Sequence, residues 1–336
     1  MTSERRTRKP TGLPSWPILL LAGIPKSGKS YASAEATASD LIGNTYWISV
    51  GESDPDEYGL IPGARFEIVD HDGTYRDILA AINWASHQPT VDGKPNLIVV
   101  DSVTRVWELI SAMAQREANA RRDRKSNGRQ AQVDDEAQIH SDLWNKAADR
   151  WGQMVELLRE HNKRGPVIVT ALLDEITVFE NDKPTKEKTW KIQGHRSLPG
   201  AATSIIEMPA RGKAYLSGVV SYRMQVPERR LFPKFTVDQL WRDMGLADGE
   251  VGERHHAGTN PVEGPTVQAA PEPLSDAEKA RRALIRSVYD AAGARWPQVQ
   301  VDWKAAHNGQ DIKEATGVGA LELLRDDLAS AKEGAA

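Results

Sequence analysis

Apolar residues along this chain concentrate in short uninterrupted runs, separated by longer segments with the periodicity of amphipathic helices. A run of four or five apolar residues is typical of a strand covered on both faces, as in a parallel sheet. Helical segments between such strands indicate the α/β class. The predicted strands are Ile18–Ala22, Thr45–Val50, Leu97–Val100 and Val167–Ala171, and the predicted helices include Val103–Ala114 and Leu143–Lys163. We therefore expect an α/β fold with a mostly parallel central sheet flanked by helices.

The pattern changes after residue 200. Alternating or apolar runs at Ser204–Met208, Ala214–Val220 and Tyr222–Val226 predict further strands, and Phe232–Met244 predicts a tail that packs on the core through Trp241. A segment rich in Gly, Pro, Glu and Ala follows, which is typical of a linker. The predicted organisation is a disordered basic amino-terminal segment (1–15), a core (16–245), a flexible linker (246–274) and a small helical domain (275–336).

Composition limits the cellular compartments and the binding partners to be expected for the protein. The chain has 336 residues, a formal net charge of −4 and no cysteine. Without cysteine it can form neither disulfides nor thiolate metal sites, which fits a reducing cytoplasm. No apolar stretch is long enough to span a bilayer, so we expect a cytoplasmic protein without membrane association. The negative charge disfavours binding of nucleic acid through overall charge, although local basic patches can still bind it.

The segment from Gly23 to Ser30 fits the P-loop pattern G-x-x-x-x-G-K-[ST] directly after the first predicted strand. A triphosphate needs converging backbone N–H groups, a cation and a hydroxyl on Mg²⁺, and a glycine-relieved turn before a helix supplies the N–H groups. Lys29 is the expected catalytic cation and Ser30 the expected magnesium ligand. We expect ATP to contact Gly23, Ile24, Pro25, Lys26, Ser27, Gly28, Lys29, Ser30 and Tyr31.

A second apolar strand ends in a carboxylate, Asp101, followed by Ser102. Ligands of parallel sheets bind beyond the carboxyl ends of the strands, so Asp101 is the expected carboxylate of the magnesium site. The alternative is that Asp101 or Ser102 only caps the next helix. Hydrolysis also needs a group that orients the attacking water. Because Ser102 cannot do so, we assign that role to Glu52, which follows the predicted strand Thr45–Val50.

This arrangement of P-loop, Glu52 before an Asp-Pro turn, and a strand ending in Asp-Ser resembles the RecA-like recombinase family. The residues of the P-loop and the short Gly51-Glu52-Ser53 turn look most like those of the RecA-like ATPases of bacteriophages, which are NTPases with an AAA domain. Some of these ATPases are single-strand annealing or recombination proteins. The resemblance covers residues 17–226. It implies a Mg²⁺-dependent ATPase that works on single-stranded DNA as a ring or filament, with a single-strand-binding protein as a further partner and the host cytoplasm as its location.

Two segments occupy the positions at which that family contacts DNA. The first, residues 114–132, is basic and is expected to be mobile; its alternative is a solvated helix pair with an exposed turn. The second, residues 174–198, interleaves cations with an aromatic ring, as single-strand binders do; it also fits a β-hairpin, Ile176–Phe179 with Thr189–Gln193. The candidate DNA contacts are Arg121, Arg122, Arg124, Lys125, Lys186, Lys188 and Trp190.

In ring and filament ATPases a cation from the neighbouring subunit often completes the site. Lys191, Arg196, Arg211 and Lys213 all come late enough in the chain for this role, and we favour Arg196. Thr170, near the end of its strand, is a candidate γ-phosphate sensor, although threonine in a strand is more often structural.

Four functional hypotheses follow from these residues. The first is a DNA-stimulated RecA-like ATPase in phage-type recombination, annealing or replication. A helicase or helicase-loader ATPase would need a Glu beside Asp101 or a clear arginine finger. A small-molecule kinase would use residues 114–129 as a lid. A nucleotide-gated binding protein would result if Glu52 does not reach the γ-phosphate.

Overall fold

The computed structural model describes residues 7–51, 54–125, 136–180, 183–224, 228–255, 276–307, 309–315 and 318–333. The chain forms two compact units, residues 1–258 and residues 259–336. Each unit is built around its own apolar core, as expected of separate domains.

One sheet forms the centre of the first unit. Across the sheet the strand order is β3-β2-β4-β5-β1-β7-β8-β9, and β6 pairs with β5 outside this row. The strands from β3 to β7 in that row pair in parallel, whereas β8, β9 and β6 pair antiparallel to their neighbours. The strands are β1 (Ile18–Gly23), β2 (Thr45–Ser49), β3 (Glu67–Ile68), β4 (Leu97–Asp101), β5 (Val167–Glu180), β6 (Lys183–Ile192), β7 (Ser204–Ala210), β8 (Lys213–Val219) and β9 (Arg230–Leu231).

Helices cover both faces of this sheet. Alternate residues of β1 point to opposite faces: Leu20 packs in the core on one face, and Leu19 and Leu21 pack in the core on the other. α2, α3 and α4 contribute to the first of these cores, and α1 and α6 to the second. The helices of this unit are α1 (Lys29–Ala36), α2 (Tyr75–Ser86), α3 (Val103–Lys125), α4 (Ser141–Asn162), α5 (Leu198–Ala201) and α6 (Val237–Asp243). The predicted α/β fold with a mostly parallel sheet and flanking helices is confirmed.

Two local predictions were wrong. The helix predicted at Val103–Ala114 continues to Lys125 in α3, because the added residues are mostly Ala, Arg and Glu, which favour helix. Residues 222–224 do not form the strand predicted at Tyr222–Val226. There the Ser221 hydroxyl accepts a hydrogen bond from the Arg223 N–H at 3.2 Å, which turns the chain. Residues 225 and 226 lie outside the described part of the chain.

Both predicted disordered segments contain residues that lie against the core. Within residues 1–15, the Pro14 carbonyl accepts a hydrogen bond from the Gly252 N–H at 2.7 Å. Within the predicted linker 246–274, Leu246 is buried and Val251 packs against the core. Residues 1–6 and 256–274 lie outside the described part of the chain.

The second unit is helical, as predicted. It contains α7 (Asp276–Ala292), α8 (Trp296–Ala306) and α9 (Val318–Glu333). Its core includes Val288, Trp303 and Leu321. None of the described helices in either unit has both the length and the apolar character needed to cross a bilayer.

Candidate nucleotide site

The carboxyl ends of β1 and β4 lie beside residues 169–172 of β5, and we call this side of the sheet the carboxyl edge. In register, Val100 of β4 lies beside Val169 of β5, and Leu21 of β1 lies beside Thr170. Asp101 is the next residue of β4, and the P-loop is the turn between β1 and α1. The sheet order therefore brings the two predicted halves of the site to one edge.

The P-loop backbone depends on two glycines. A Cβ on Gly23 would lie 2.3 Å from the Ser27 Oγ and 2.9 Å from the Met208 Cβ, so the loop folds closely over this position. Gly28 has φ +106°, in the left-handed region, and stands directly before α1. Glycine adopts this conformation without the steric cost that a side chain brings. The pattern glycines thus allow the chain to turn sharply into the helix.

Lys29 points back into the loop from the first residue of α1. Its Nζ donates hydrogen bonds to the carbonyl oxygens of Gly23 at 3.1 Å and Ile24 at 3.2 Å. The residue is only 8% exposed, so the ammonium is held inside the loop rather than extended into solvent. A cation in this place offsets the charge of an anion bound by the loop.

Asp101, the last residue of β4, bonds to side chains of α1 and β5. Its Oδ2 accepts a hydrogen bond from the Ser30 Oγ at 2.7 Å, and its Oδ1 accepts one from the Thr170 Oγ1. Asp101 and Thr170 are both buried. The predicted magnesium pair, Ser30 and Asp101, is therefore brought together, and the candidate sensor Thr170 touches the same carboxylate.

These residues fit a magnesium nucleotide. Ser27 is 2% exposed, and its Oγ has no hydrogen-bond partner among the described residues, as expected of a hydroxyl aimed at a ligand. Within the described residues no group of three or more His, Asp or Glu side chains is arranged to hold a metal. A hydroxyl, a carboxylate through water and phosphate oxygens are the donor set that Mg²⁺ usually takes in nucleotide sites.

Glu52 lies outside the described residues. The chain leading to it is described: Val50 N donates to the Asp101 carbonyl at 2.6 Å, and Ser102 N donates to the Val50 carbonyl at 3.3 Å. Gly51, with φ +64°, follows next to Arg105. The main chain thus reaches the carboxyl edge beside Asp101 one residue before Glu52.

Two tyrosines border the P-loop. Tyr31, the last residue of the predicted nucleotide set, is half exposed, and its ring meets Tyr58 edge to face at 6.3 Å between centroids. Burial, followed by the charges of Asp101 and Glu57, raises the pKa of the Tyr58 hydroxyl. Tyr58 therefore stands in the electric field of the predicted magnesium carboxylate, a position that the sequence did not reveal.

The first predicted DNA segment is helical over its described residues. Arg121 pairs with Glu117 at 2.8 Å and with Asp142 of α4 at 2.6 Å. Arg122 pairs with its neighbour Asp123, and Arg124 caps its own helix by donating to the Ala120 carbonyl. The Lys125 side chain and residues 126–135 lie outside the described part. Arg121 is thus engaged in tying α3 to α4.

The second predicted DNA segment is the β-hairpin of β5 and β6. The register differs from the predicted pairing of Ile176–Phe179 with Thr189–Gln193: Ile176 pairs with Thr189, and Phe179 pairs with Pro184 across a register shift. Lys186 and Lys188 are exposed, and Lys188 pairs with Glu175. Trp190, expected to stack on bases, is half-buried and packs against the core.

Two of the four candidates for a cation given to a neighbouring subunit lie on β6 or just after it. Lys191 is exposed on β6, opposite Asp174. Arg196 is exposed just after β6, and no salt bridge to it is formed by the described residues. Both side chains are therefore accessible from outside the subunit.

Sequence reasoning missed a threonine and a group of rings at this edge. Thr104 Oγ1 donates to the Gln193 carbonyl at 2.7 Å and accepts from Leu172 N at 3.0 Å, which ties α3 to both strands of the hairpin. Beside it, three tryptophans and a histidine form ring contacts. The i, i+7 spacing of Trp144 and Trp151 was the only sequence signal, and it does not reveal contacts between elements.

Comparison with known proteins gives a family match. The family described as AAA domain matches residues 17–230, well over half of the chain. The comparison with curated proteins found no significant match.

The comparison with solved structures gives several distant likenesses. The RadB recombinase has 17% identity and a TM-score of 0.37 over 66% of this chain and 89% of that one. The flagellar accessory protein FlaH from Methanocaldococcus jannaschii has 11% identity and a TM-score of 0.31 over 66% and 86%. A prototypical ATPase from the type III secretion system of pathogenic bacteria has 10% identity and a TM-score of 0.33 over 95% and 83%. Likenesses at this level assign no function to the chain.

Proposed function

The chain belongs to the AAA domain family, and from that premise we propose that it binds and hydrolyses ATP with Mg²⁺ at the carboxyl edge and couples this to single-stranded DNA. The cellular process would be phage-type recombination, annealing or replication in the host cytoplasm. A single-strand-binding protein would be a further partner.

The observation that carries the proposal is that hydroxyls from α1 and β5 both donate to the Asp101 carboxylate, and that Lys29 is held in the P-loop from which α1 starts. A cap for α3 alone would not need a hydroxyl from α1 and another from β5. This convergence supports a magnesium role for Asp101 over the capping alternative.

Each residue has a task in such a site. The P-loop N–H groups and Lys29 would bind the phosphates, with phosphate oxygens competing against the Gly23 and Ile24 carbonyls for the ammonium. Ser30, and Asp101 through water, would hold Mg²⁺, which would offset the negative charge of the phosphates. Thr170 fixes the Asp101 carboxylate. Glu52 would orient the attacking water.

Coupling to DNA would follow from shared anchoring. α3 begins directly after the Asp101-Ser102 pair, and the β5–β6 hairpin continues the strand that contains Thr170. A change in the hydrogen bonds to Asp101 would therefore be passed to α3 and to the hairpin, which lead to the two segments predicted to contact DNA. Arg196 or Lys191 would complete the site of a neighbouring subunit in a ring or filament.

The test is ATP turnover by wild-type, Lys29→Ala and Glu52→Gln proteins, each with and without single-stranded DNA. We expect wild-type turnover to rise with DNA and both variants to lose it. Wild-type turnover that is the same with and without DNA would contradict the coupling of ATP hydrolysis to DNA. Turnover retained by Glu52→Gln would contradict the assigned water-orienting group and would favour a kinase or a nucleotide-gated binding protein.

A further inference from the structure

Four rings meet where α3, α4 and the turn after β6 come together. Trp107 and Trp144 are stacked, with ring centroids 6.3 Å apart and planes inclined by 28°. His195 lies 4.9 Å from Trp107 and 5.6 Å from Trp151, stacked on the latter at 30°. Trp107 also meets Trp151 edge to face at 6.0 Å. We call these four residues the ring cluster.

The inner half of the ring cluster is fixed in place. Trp151 is 1% exposed, and its Nε1 donates to the Ser197 Oγ at 3.1 Å. The same oxygen lies 2.7 Å from the His195 Nδ1. Burial, and then the neighbouring Arg196 charge, lowers the pKa of His195, which favours the neutral imidazole. The inner rings are held in place by these contacts.

The outer half of the cluster is open. Trp144 is 41% exposed, and Trp107, on which it stacks, is half-buried. A half-exposed indole held by a second indole keeps its orientation at little entropic cost, because the rotamer is already fixed by packing. Such a ring offers a flat apolar surface to a planar ligand.

The cluster lies at the carboxyl edge, between the two segments predicted to contact DNA. α3 and α4 run antiparallel: Trp107 meets Trp151, and farther from the sheet Arg121 pairs with Asp142. The hairpin is on the other side, since His195 follows β6 and Thr104 bonds to Gln193. Exposed Lys191 and Arg196 flank His195 in the sequence. A strand of nucleic acid in this place would meet cations and ring faces together.

We propose that Trp144, supported by Trp107, is a stacking platform for the bases of single-stranded DNA. This rests on the proposed function and extends it from backbone contacts to base contacts. Unpaired bases expose ring faces that a duplex hides, so the platform selects single strands without reading sequence. The exposed cations Lys191 and Arg196, on the segment that contains His195 of the ring cluster, favour nucleic acid over an apolar protein segment.

The test measures binding of the full-length protein to two labelled oligomers of equal length and phosphate charge, one of thymidine and one of abasic residues. Fluorescence anisotropy is recorded with a non-hydrolysable ATP analogue and Mg²⁺. The variants are Trp144→Leu, which keeps apolar bulk, and Trp144→Phe, which keeps a ring. The matched control is Trp84→Leu: Trp84 is 48% exposed and also ring-paired, with Tyr46 near the start of β2.

We expect Trp144→Leu to bind the thymidine oligomer roughly tenfold more weakly than wild type and the abasic oligomer equally well. The dependence of affinity on salt should not change, since no phosphate contact is lost. Trp144→Phe and Trp84→Leu should bind like wild type.

If Trp144→Leu bound the thymidine oligomer as tightly as wild type, Trp144 would not be a stacking platform. The proposed DNA function would still stand, and the result would point to a protein as the partner that covers Trp144. Equal weakening on both oligomers would also overturn the platform, as a structural effect. Failure of the wild-type protein to bind the thymidine oligomer would overturn the platform and the proposed DNA function together, while the ATPase claim is tested separately by turnover.

Discussion

The two ends of the parallel sheet use buried polar groups in different ways. At the carboxyl edge, the hydroxyls of Ser30 on α1 and Thr170 on β5 both donate to the carboxylate of Asp101. At the opposite end, which we call the amino edge, buried side-chain donors end on main-chain carbonyls. There His161 Nε2 donates to the Asn96 carbonyl at 2.9 Å, and Asn162 Nδ2 donates to the Trp16 carbonyl at 3.1 Å.

The difference separates structural from functional polarity. At the amino edge, a neutral imidazole or amide that donates to a carbonyl of its own chain stabilises the fold. At the carboxyl edge, a buried carboxylate is costly to desolvate, and binding of a cation offsets that cost. Substitutions at the carboxyl edge should therefore change activity, and substitutions at the amino edge should change stability.

The largest expected effect is that of Asp101→Asn. The amide has the size of the carboxylate but lacks its charge, so we expect turnover at saturating Mg²⁺ to fall about a hundredfold while the urea midpoint stays close to wild type. Asp149→Asn, an exposed carboxylate on α4, is the control and should keep full turnover. Unchanged turnover of Asp101→Asn would remove the distinction between the two edges.

The next effect concerns pH and the amino edge. Burial above all, with a contribution from Arg164, lowers the pKa of His161 to about 4. Below pH 6.5, His161 binds a proton in the unfolded chain but stays neutral in the folded chain. The free energy of unfolding is therefore unaffected by His161 above pH 6.5, and it decreases as the pH falls towards 4. The loss is about 3 kcal/mol. Urea unfolding at several pH values should show a smaller decline in His161→Gln than in wild type, and parallel declines would contradict this account.

A smaller effect comes from a matched pair of buried threonines. Thr170→Val removes the hydroxyl that holds Asp101, and a hydrogen bond to a charged group is worth about 2 kcal/mol, so turnover should fall at least tenfold. Thr45, equally buried at the start of β2, has a hydroxyl without a partner among the described residues. Thr45→Val should keep turnover and leave stability equal or higher. Equal losses in both variants would indicate that volume matters and the hydroxyl does not.

The smallest effect is expected at Arg254. Its Nε donates to the Trp16 carbonyl at 3.1 Å, and burial lowers the pKa of its guanidinium. Arg254→Met keeps the apolar stem but loses the hydrogen bonds, so the free energy of unfolding should fall by about 1 kcal/mol. At a temperature where the variant is folded, its ATP turnover should equal that of wild type. Lower turnover would link Arg254 to the nucleotide site and contradict this expectation.

The sequence predicted most of what is local. The P-loop glycines, Lys29 and the carboxylate after an apolar run are recognisable because each depends on a few adjacent residues, and the parallel sheet follows from the apolar runs. The Thr170 contact to Asp101 could be only partly foreseen, since it depends on which strand lies between β1 and β4.

Contacts between distant elements could not be predicted in this way. The ring cluster joins Trp107, Trp151 and His195 from three separate segments, and nothing in their spacing indicates that they meet. Nor does the sequence indicate that the last turns of α3 pair with α4, as Arg121 does with Asp142. Packing between elements decides both sets of contacts, and local propensity does not report it.

The most direct test of the central claim, that the carboxyl edge is a magnesium-nucleotide site, is a calorimetric titration with a non-hydrolysable ATP analogue. Wild type, Lys29→Ala and Thr45→Val would each be titrated with Mg²⁺ and with a chelator. We predict that wild type and Thr45→Val bind equally and depend on Mg²⁺, whereas Lys29→Ala shows no measurable binding. Binding by Lys29→Ala as tight as that of wild type would contradict the account.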